Sequence, residues 1–335
     1  MAGSGVTPVT VLTGFLGSGK STLLNRWLRD PRFTDTAVLV NEWGDIAIDH
    51  ALVRESSERI VVMAGGCICC RAAGDIVRAL RELHFQRVEG AIPDYRRVVI
   101  ETSGLADPAP LMATLVEMPV MAARHALGGV VTAVDGQYGL RELDSHPEAV
   151  KQAAMADRLV LTKADLASAS DLDALEARLA AMNPAANRIR SVGGEVDPAL
   201  LLDAGLYRGE SRAPDTSGWL NAGAYRRIGA APAAHTGGIV SFAWSREEPC
   251  PWQDVEPALE TLIELRGDRI LRMKGLVNVP NEAGPRAIHA VQHTLYPAAR
   301  LAAWPDADRS TRIVFIGRGL DEAEVAGILD SFLPR

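Results

Sequence analysis

Residues 14–21 read Gly-Phe-Leu-Gly-Ser-Gly-Lys-Ser, and no other stretch restricts the fold of this chain as strongly. An apolar run at 9–13 precedes it, and apolar residues at helical spacing follow it, at positions 23, 24, 27 and 28. A strand, a glycine-rich turn and a helix in this order form a P-loop, which binds phosphate. The alternative is a glycine-rich turn with an unrelated Lys-Ser pair, and it is disfavoured because every fixed position and both flanks match.

The P-loop pattern assigns roles to its residues. Its glycines let the backbone curl until N–H groups point at phosphate oxygens. Lys20 is expected to reach the β- and γ-phosphates of a nucleotide, and the Ser21 hydroxyl to ligate Mg²⁺. The predicted nucleotide-binding residues of this loop are Gly14, Gly17, Ser18, Gly19, Lys20, Ser21 and Thr22.

Length and composition describe an ordinary globular chain. It has 335 residues, 47% of them hydrophobic, so about two domains are expected. The net charge of −7 gives no reason to expect a nucleic-acid partner. No segment of about 18 consecutive apolar residues occurs, so no membrane partner is expected. The N-terminus lacks a secretory pattern, and a cytoplasmic location is the expectation.

Short apolar runs alternate with helical stretches through the first two-thirds of the chain. Besides 9–13, the predicted strands are 37–40, 60–63, 98–100, 130–134, 159–161 and 188–191. This alternation predicts an α/β domain with a mostly parallel sheet, covered on both faces. In such sheets ligands bind beyond the carboxyl ends of the strands, and the polar motifs of this chain all fall there.

A second domain is predicted beyond a linker. Residues 204–235 are rich in Gly, Ala, Ser and Pro and separate a P-loop domain at 1–203 from a domain at 236–335. The later domain has predicted strands at 238–244, 270–279, 301–304 and 311–316, and helices at 252–265 and 321–332. A helix between 286 and 295 would complete a βαββαβ pattern, a small α+β ferredoxin-like domain.

Two further strand ends carry nucleotide-site candidates. Glu101 follows an apolar strand, where a P-loop protein keeps its acidic Mg²⁺-side residue, and Gly104 could offer its N–H to the γ-phosphate. The alternative is an acid at a strand end with a glycine turn. Residues 162–165 read Thr-Lys-Ala-Asp, close to the Asn-Lys-x-Asp motif that reads guanine.

In that base-reading motif Asp165 would accept hydrogen bonds from the guanine N1–H and 2-amino group, which adenine cannot supply. The Lys163 stem would cover the face of the base. Thr162 replaces the usual asparagine and has one short hydroxyl, so weaker bracing of the loop is expected. The alternative for this stretch is a surface helix start with an aspartate cap.

Cysteine crowding indicates metal chemistry. Residues 65–70 read Gly-Gly-Cys-Ile-Cys-Cys, after a strand and before a helix, and thiolates bind Zn²⁺, Co²⁺ or Cu⁺ well. The spacing is tight for one tetrahedral ion, so Cys67 with Cys69 or Cys70 plus outside ligands is expected. A redox pair or small buried residues are the alternatives.

An acidic stretch at 41–50 lies where a GTPase keeps its first switch. Its carboxylates, Glu42 first, could hold Mg²⁺, position water or supply hard ligands to the metal of the cysteine motif, and a solvated acidic loop is the alternative. Among the histidines, His125 precedes a strand that leads to the site and could reach it. His289 and His293 would share one face of the predicted helix at 286–295.

Together these motifs resemble the CobW-type GTPases, a metallochaperone branch of the P-loop fold. The likeness rests on residues 14–22, on 41, 42 and 44, on 65–70 and 101–108, on the pair 163 and 165, and on 271–276 and 314–318. It implies a GTPase that binds a transition metal, zinc or cobalt, near the nucleotide and delivers it to a client metalloprotein or a metal-insertion pathway. Many members carry a histidine-rich stretch near the linker, whereas His235 is the one histidine in residues 204–240 of this sequence.

The leading hypothesis is therefore a nucleotide-switched metallochaperone that uses GTP and Mg²⁺. Lys20, Glu42 and Glu101 are its catalytic candidates, and the Mg²⁺ ligands are Ser21 and Glu101. The metal candidates are Cys67, Cys69, Cys70 and Glu42. A P-loop small-molecule kinase and a metal-responsive binding protein with incidental turnover are the alternatives. The sequence does not decide the oligomeric state, and a homo-oligomer is one of the candidates.

Overall fold

The computed structural model describes residues 6–41, 60–65, 73–118, 123–201, 220–225 and 238–334. The chain forms two compact units, Met1–Glu176 with Ala186–Pro214, and Ala177–Ala185 with Asp215–Arg335. The predicted domain boundaries at 203 and 235 fall outside the described residues, so they stay predictions.

In the described residues between 7 and 190, helices connect most of the successive strands. The strands are β1 (Thr7–Gly14), β2 (Thr36–Asn41), β3 (Ile60–Gly65), β4 (Arg97–Glu101), β5 (His125–Asp135), β6 (Arg158–Thr162) and β7 (Asn187–Arg190). The helices are α1 (Lys20–Arg29), α2 (Ala73–Val88), α3 (Pro108–Glu117), α4 (Gly139–Ser145), α5 (Pro147–Ala154) and α6 (Ala169–Met182). Each strand predicted from the apolar runs of this region is present.

The seven strands form one sheet in the order β3-β2-β4-β1-β5-β6-β7. Every neighbouring pair in this order is parallel. The predicted parallel α/β class is therefore confirmed. The apolar spacing of α1 also has its expected consequence, because Leu23, Leu24, Trp27 and Leu28 are buried in one cluster with Leu12 of β1. This packing holds the helix after the P-loop against the sheet.

Parallel pairing gathers the strand ends at one edge. Gly14, Glu101, Asp135 and Thr162 end four of the strands, and the backbone links them. The Thr102 N–H donates to the Leu12 carbonyl at 2.9 Å, and the Gly136 N–H to the Thr162 carbonyl at 2.8 Å. The candidate residues at these ends therefore share one edge of the sheet.

His125 does not share that edge. It is the first residue of β5 and pairs with Thr7, the first residue of β1. The strand β5 has eleven residues and ends at Asp135, beside the site. His125 therefore lies at the opposite end of the strand from the site. The prediction that it could reach the site is wrong.

Over its described residues 238–334, the second unit is an antiparallel sheet with two helices. Its elements are β8 (Ile239–Arg246), α7 (Trp252–Arg266), β9 (Ile270–Val277), β10 (Arg286–Val291), β11 (Thr294–Leu295), β12 (Ala299–Arg300), β13 (Thr311–Arg318) and α8 (Glu322–Phe332). The strand order is β11-β10-β9-β13-β8, with β12 paired to β10. The predicted α+β class is confirmed, and Asp321 caps α8 by accepting a hydrogen bond from the Glu324 N–H.

Two predictions about this unit are wrong. Residues 286–295 form a hairpin rather than a helix, because Ile288 and Ala290 enter the core at a period of two and Gln292 turns the chain with φ of 50°. His289 and His293 therefore do not share a helix face. Within the described range 238–334, the strand expected at 301–304 is absent, and the short strand nearby is β12 at Ala299–Arg300.

Among the described residues, none of the helices combines the length and the apolar character needed to cross a bilayer.

The core of the second unit lies between its sheet and its helices and includes Phe242, Phe315 and Leu262. The two phenylalanine rings stack at 5.3 Å between centroids. Burial of α7 against this core is the main interaction that holds the helix in place.

One pair of leucines on α7 tests this packing. Leu262 is fully buried, whereas Leu265, one turn later, is 50% exposed. Leu262→Ala should lower the free energy of unfolding by about 2–5 kcal/mol, since it leaves a cavity. Leu265→Ala should change it by less than about 0.5 kcal/mol. Chemical denaturation of both variants measures the difference, and equal losses would contradict the assigned core.

Candidate functional site

The loop between β1 and α1 is built from left-handed glycines. Gly17 and Gly19 have φ of 72° and 83°, and Gly14 has φ of 144°. A Cβ atom on Gly14 would lie 2.3 Å from the Ala133 carbonyl oxygen, so no side chain fits there. Gly19 caps α1, which begins at Lys20. The loop therefore presents the N-terminus of a ten-residue helix, which attracts anions.

Lys20 is turned back onto this loop. Its ammonium group donates to the Gly14 carbonyl at 2.9 Å and to the Phe15 carbonyl at 3.0 Å. The residue is only 9% exposed, and burial lowers the pKa of Lys20. The nearby charges of Glu101 and Glu142 act against that shift. The site thus keeps a cation at the mouth of an anion-binding loop.

Ser21 and Glu101 meet across 80 positions of sequence. The Ser21 hydroxyl donates to Glu101 Oε1 at 2.9 Å, and Glu101 is 5% exposed. A hydroxyl and a carboxylate are the hard oxygen ligands that Mg²⁺ prefers. The donor set therefore fits the ion that the P-loop pattern implies, with one ligand from α1 and the other from the end of β4.

Gly104 lies against the P-loop. A Cβ atom there would approach the Leu16 nitrogen to 2.6 Å and the Leu16 Cα to 2.7 Å. Only glycine lets the backbone come this close without displacing the P-loop. The second candidate loop, which follows β4, is therefore in direct contact with the first.

Thr162 braces the P-loop. Its hydroxyl donates to the Ser18 carbonyl at 2.7 Å and also lies 3.2 Å from the Val134 carbonyl. The single threonine hydroxyl thus reaches the loop that the usual asparagine would brace. The Ser18 side chain itself is fully buried, whereas Thr22 is exposed on the first turn of α1.

Lys163 has an unusual backbone and a buried partner. Its φ is 52°, a left-handed value that a non-glycine residue rarely adopts. Its ammonium donates to Asp135 Oδ2 at 2.5 Å, and Asp135 is 2% exposed. Asp135 Oδ1 accepts the N–H groups of Gln137 and Tyr138. The ion pair therefore directs the Lys163 stem, while the Asp165 side chain is exposed at the same edge.

Four predicted site residues lie outside the described part of the chain. They are Glu42, Cys67, Cys69 and Cys70. Within the described residues, no group of three or more His, Cys, Asp or Glu side chains is arranged to hold a metal ion. The predicted metal ligands therefore remain predictions from the sequence.

Comparison with known proteins decides the family. The model of the CobW/HypB/UreG nucleotide-binding domain matches residues 8–190, more than half of the chain. The chain belongs to the CobW/HypB/UreG family. The model of the cobalamin synthesis protein cobW C-terminal domain matches residues 239–333. The resemblance to CobW-type proteins is thereby confirmed over both parts of the sequence.

Some relatives align with nearly the whole length of this CobW-type chain. The zinc chaperone YjiA of Escherichia coli is 31% identical over 317 residues, which are 95% of this chain and 96% of YjiA. The zinc chaperone CobW of Pseudomonas aeruginosa is 30% identical over 364 residues, covering 97% and 91% of the two chains. The crystal structure of Zn(II)-bound YjiA GTPase from E. coli matches with a TM-score of 0.71 and 25% identity, covering 98% and 99%.

The structure adds residues to this CobW-type site that the motifs did not indicate. Asp135 is one, since its partner Lys163 follows 28 positions later. The loop after β7 is another, because the Ala164 N–H donates to the Ser191 carbonyl at 3.1 Å. Arg26 of α1 holds that loop by donating to the Gly193 carbonyl at 3.2 Å. In the sequence, the signal for these residues was that a polar residue ends the strand, as Asp135 ends β5.

Glu142 is a further addition, on α4. It is half-buried, and desolvation raises the pKa of Glu142 to about 7. The charge of Asp135 adds to the shift, whereas those of Lys163 and Lys20 oppose it. A carboxyl group that titrates near neutral pH thus lies close to both functional lysines.

The shift predicts a pH dependence of folding. Unfolded Glu142 ionises near pH 4.5, whereas the folded residue keeps its proton to about pH 7. The folded state therefore binds more protons in this window, and its stability falls as pH rises through it. Glu142→Gln stays neutral and should lose this part of the dependence.

Thermal unfolding of nucleotide-free protein at about pH 5 and about pH 8 measures this effect. The Tm of Glu142→Gln should fall less between the two pH values than the Tm of the wild type. Glu89→Gln, which changes an exposed glutamate of the same unit, is the matched control and should follow the wild type. Equal falls in all three proteins would contradict the assigned environment of Glu142.

Proposed function

We propose that this chain is a GTP-hydrolysing metallochaperone, which binds a transition metal and delivers it to a client metalloprotein or metal-insertion pathway. One observation carries the nucleotide part. The buried Lys20 ammonium, the Ser21–Glu101 pair and the base-reading motif Thr162–Asp165 all lie at one edge of the sheet. These parts supply a phosphate cradle, hard oxygen ligands and a carboxylate for the base.

The nucleotide roles follow from these positions. Lys20 and the N–H groups at the start of α1 would neutralise the phosphates, with Gly14, Gly17 and Gly19 in the loop and Thr22 on the first turn of α1. Ser21 and Glu101 would hold Mg²⁺, which would offset the negative charge of the β- and γ-phosphates. Glu42, outside the described residues, is proposed to position the hydrolytic water or to share in metal binding.

Guanine is the proposed base. Asp165 is an exposed carboxylate at the rim, and it can accept two hydrogen bonds from guanine but none of the same kind from adenine. The Asp135–Lys163 ion pair supports this assignment, because it holds the Lys163 stem in place to cover the base. The relative YjiA, whose Zn(II)-bound crystal structure shares this fold, is itself a GTPase, in agreement with a guanine site.

Zinc is the favoured cargo. Cys67, Cys69 and Cys70 offer soft ligands, with Glu42 as an oxygen ligand, and both named bacterial relatives are zinc chaperones. Cobalt is the second candidate on the same donor chemistry. Three cysteines crowded at 67, 69 and 70 favour metal binding over structural disulfides, which suits a reducing compartment, so we propose a cytoplasmic location.

The nucleotide would act as a switch. The γ-phosphate would order the chain at Glu42 and Gly104. The cysteines follow in the sequence after β3, which ends at Gly65 and pairs in parallel with β2, so we propose that they lie near the same edge of the sheet. If the bound nucleotide changes metal affinity, metal must change nucleotide affinity by the same factor. Hydrolysis would then release the metal or the client.

Asp165→Asn tests the base. The asparagine amide loses the double acceptor for guanine but can donate to the C2 carbonyl of xanthine. GTP binding should weaken at least about tenfold, and XTP binding should strengthen. Titration with fluorescent nucleotides measures both constants, with ATP as the third ligand. Asp173→Asn, an exposed aspartate paired with Arg190, should change neither.

A wild-type protein that binds and hydrolyses ATP as well as GTP would contradict guanine specificity. It would also favour a small-molecule kinase or another adenine-dependent activity on the same P-loop. A variant with unchanged preference would show that Asp165 does not contact the base.

A cobalt titration tests the metal. In the presence of Mg²⁺ and a slowly hydrolysed GTP analogue, Co²⁺ should produce a thiolate-to-cobalt charge-transfer band. Cys67→Ala and Cys69→Ala should lose it, whereas Cys250→Ala should keep it, because Cys250 is buried in the core of the second unit. Zn²⁺ should bleach the band at lower concentration than Co²⁺ produces it. A band that persists in both loop variants would contradict the metal site.

A further inference from the structure

The side chain of Gln152 binds the loop after β4. Gln152 lies on α5 and is 1% exposed. Its Nε2 donates to the Gly104 carbonyl at 3.2 Å and to the Ala106 carbonyl at 3.0 Å. Both donors of one buried amide are thus used on a single loop, the loop that begins at the proposed Mg²⁺ ligand Glu101.

The orientation of this amide is dictated by its donors. Gln152 Oε1 is buried and has no hydrogen-bond partner in the part of the chain that the structure describes. A buried acceptor without a partner is unfavourable, so the arrangement persists because the two carbonyl groups require donors. The backbone of Gln152 is itself fixed, since the Thr132 hydroxyl of β5 donates to its carbonyl at 3.0 Å.

Other contacts tie the same segment to both loops. Lys151 pairs with Asp107 at 2.5 Å, on the loop side of α3. The ring of His146, just before α5, stacks on Phe15 of the P-loop with 4.4 Å between centroids. Residues 139–154, which we call the α4–α5 arm, therefore contact the P-loop and the loop at 104–107 together.

Gly104 has no freedom to move toward the P-loop. Its Cα already packs against the Leu16 backbone, and a Cβ atom added there would lie 2.6 Å from the Leu16 nitrogen. Its carbonyl is held from another direction by Gln152. The peptide of Gly104 is thus fixed between the P-loop and the α4–α5 arm.

We propose that Gln152 is a positioning residue that holds the Gly104 loop where its backbone N–H can meet the γ-phosphate. This inference rests on the proposed function, in which Gly104 senses that phosphate. It makes a distinct statement about specificity. The hydrogen bonds of the Gln152 side chain go to the loop at 104–107, whereas the proposed ligands of the α- and β-phosphates belong to the P-loop. Gln152 should therefore matter for a triphosphate and not for a diphosphate.

Gln152→Met removes both donors at nearly constant volume and tests the inference. The dissociation constants for GDP and for a slowly hydrolysed GTP analogue, each with Mg²⁺, are measured on the full chain by fluorescent-nucleotide titration. The GDP constant should stay within about twofold, while the GTP-analogue constant rises about tenfold, the effect of one lost charge-assisted hydrogen bond. Gln152→Asn, which keeps a shorter amide, should give a smaller rise in the GTP-analogue constant. It keeps the test usable if Gln152→Met folds poorly.

Asp157→Asn is the matched control. Asp157 is also buried, and its carboxylate accepts the Val130 N–H at 2.9 Å, in the turn that leads into β6 at the opposite edge of the sheet. It should lower Tm without changing the ratio of GTP-analogue to GDP affinity, which separates positioning from general destabilisation. A ratio unchanged in both Gln152 variants, with wild-type binding intact, overturns the role of Gln152 alone. Absence of guanine-nucleotide binding by the wild type overturns the proposed function instead.

Discussion

A buried cation organises the site. Lys20 carries its ammonium group into a nearly closed position and satisfies it with the carbonyls of Gly14 and Phe15. Removing a charge from water is costly, and the lowered pKa of Lys20 reflects that cost. The loop must curl through left-handed glycines to bring those carbonyls round, so the conformation of residues 14–19 and the position of the charge determine each other.

Parallel strand pairing then places the remaining groups. The P-loop follows β1, the central strand, and its neighbours β4 and β5 end beside it in Glu101 and Asp135. Thr162 arrives from β6 on the far side of β5. Because the carboxyl ends of parallel strands share one edge, groups far apart in sequence meet without long loops. The sheet supplies the geometry, and α1 packed on Leu12 keeps the cradle attached to it.

Side-chain hydrogen bonds connect the segments at this edge. Thr162 binds the P-loop carbonyl of Ser18, Ser21 binds Glu101, and Gln152 binds Gly104. Each bond joins segments that could otherwise move separately. A ligand that displaces one loop therefore changes the contacts of its neighbours, which is the physical requirement for a switch. The protonation of Glu142, near both lysines, adds a charge that varies around neutral pH.

By itself the sequence determined the P-loop, the seven parallel strands and the order of the motifs, because glycine spacing and apolar runs act locally. The same local patterns misread residues 286–295, where small alanines fit a helix as well as a strand and only pairing with β9 selects the hairpin. Tertiary structure alone decided the partners of Asp135, Glu142 and Gln152. Their contacts join residues that are distant in the chain, and no spacing within a motif encodes such a distance.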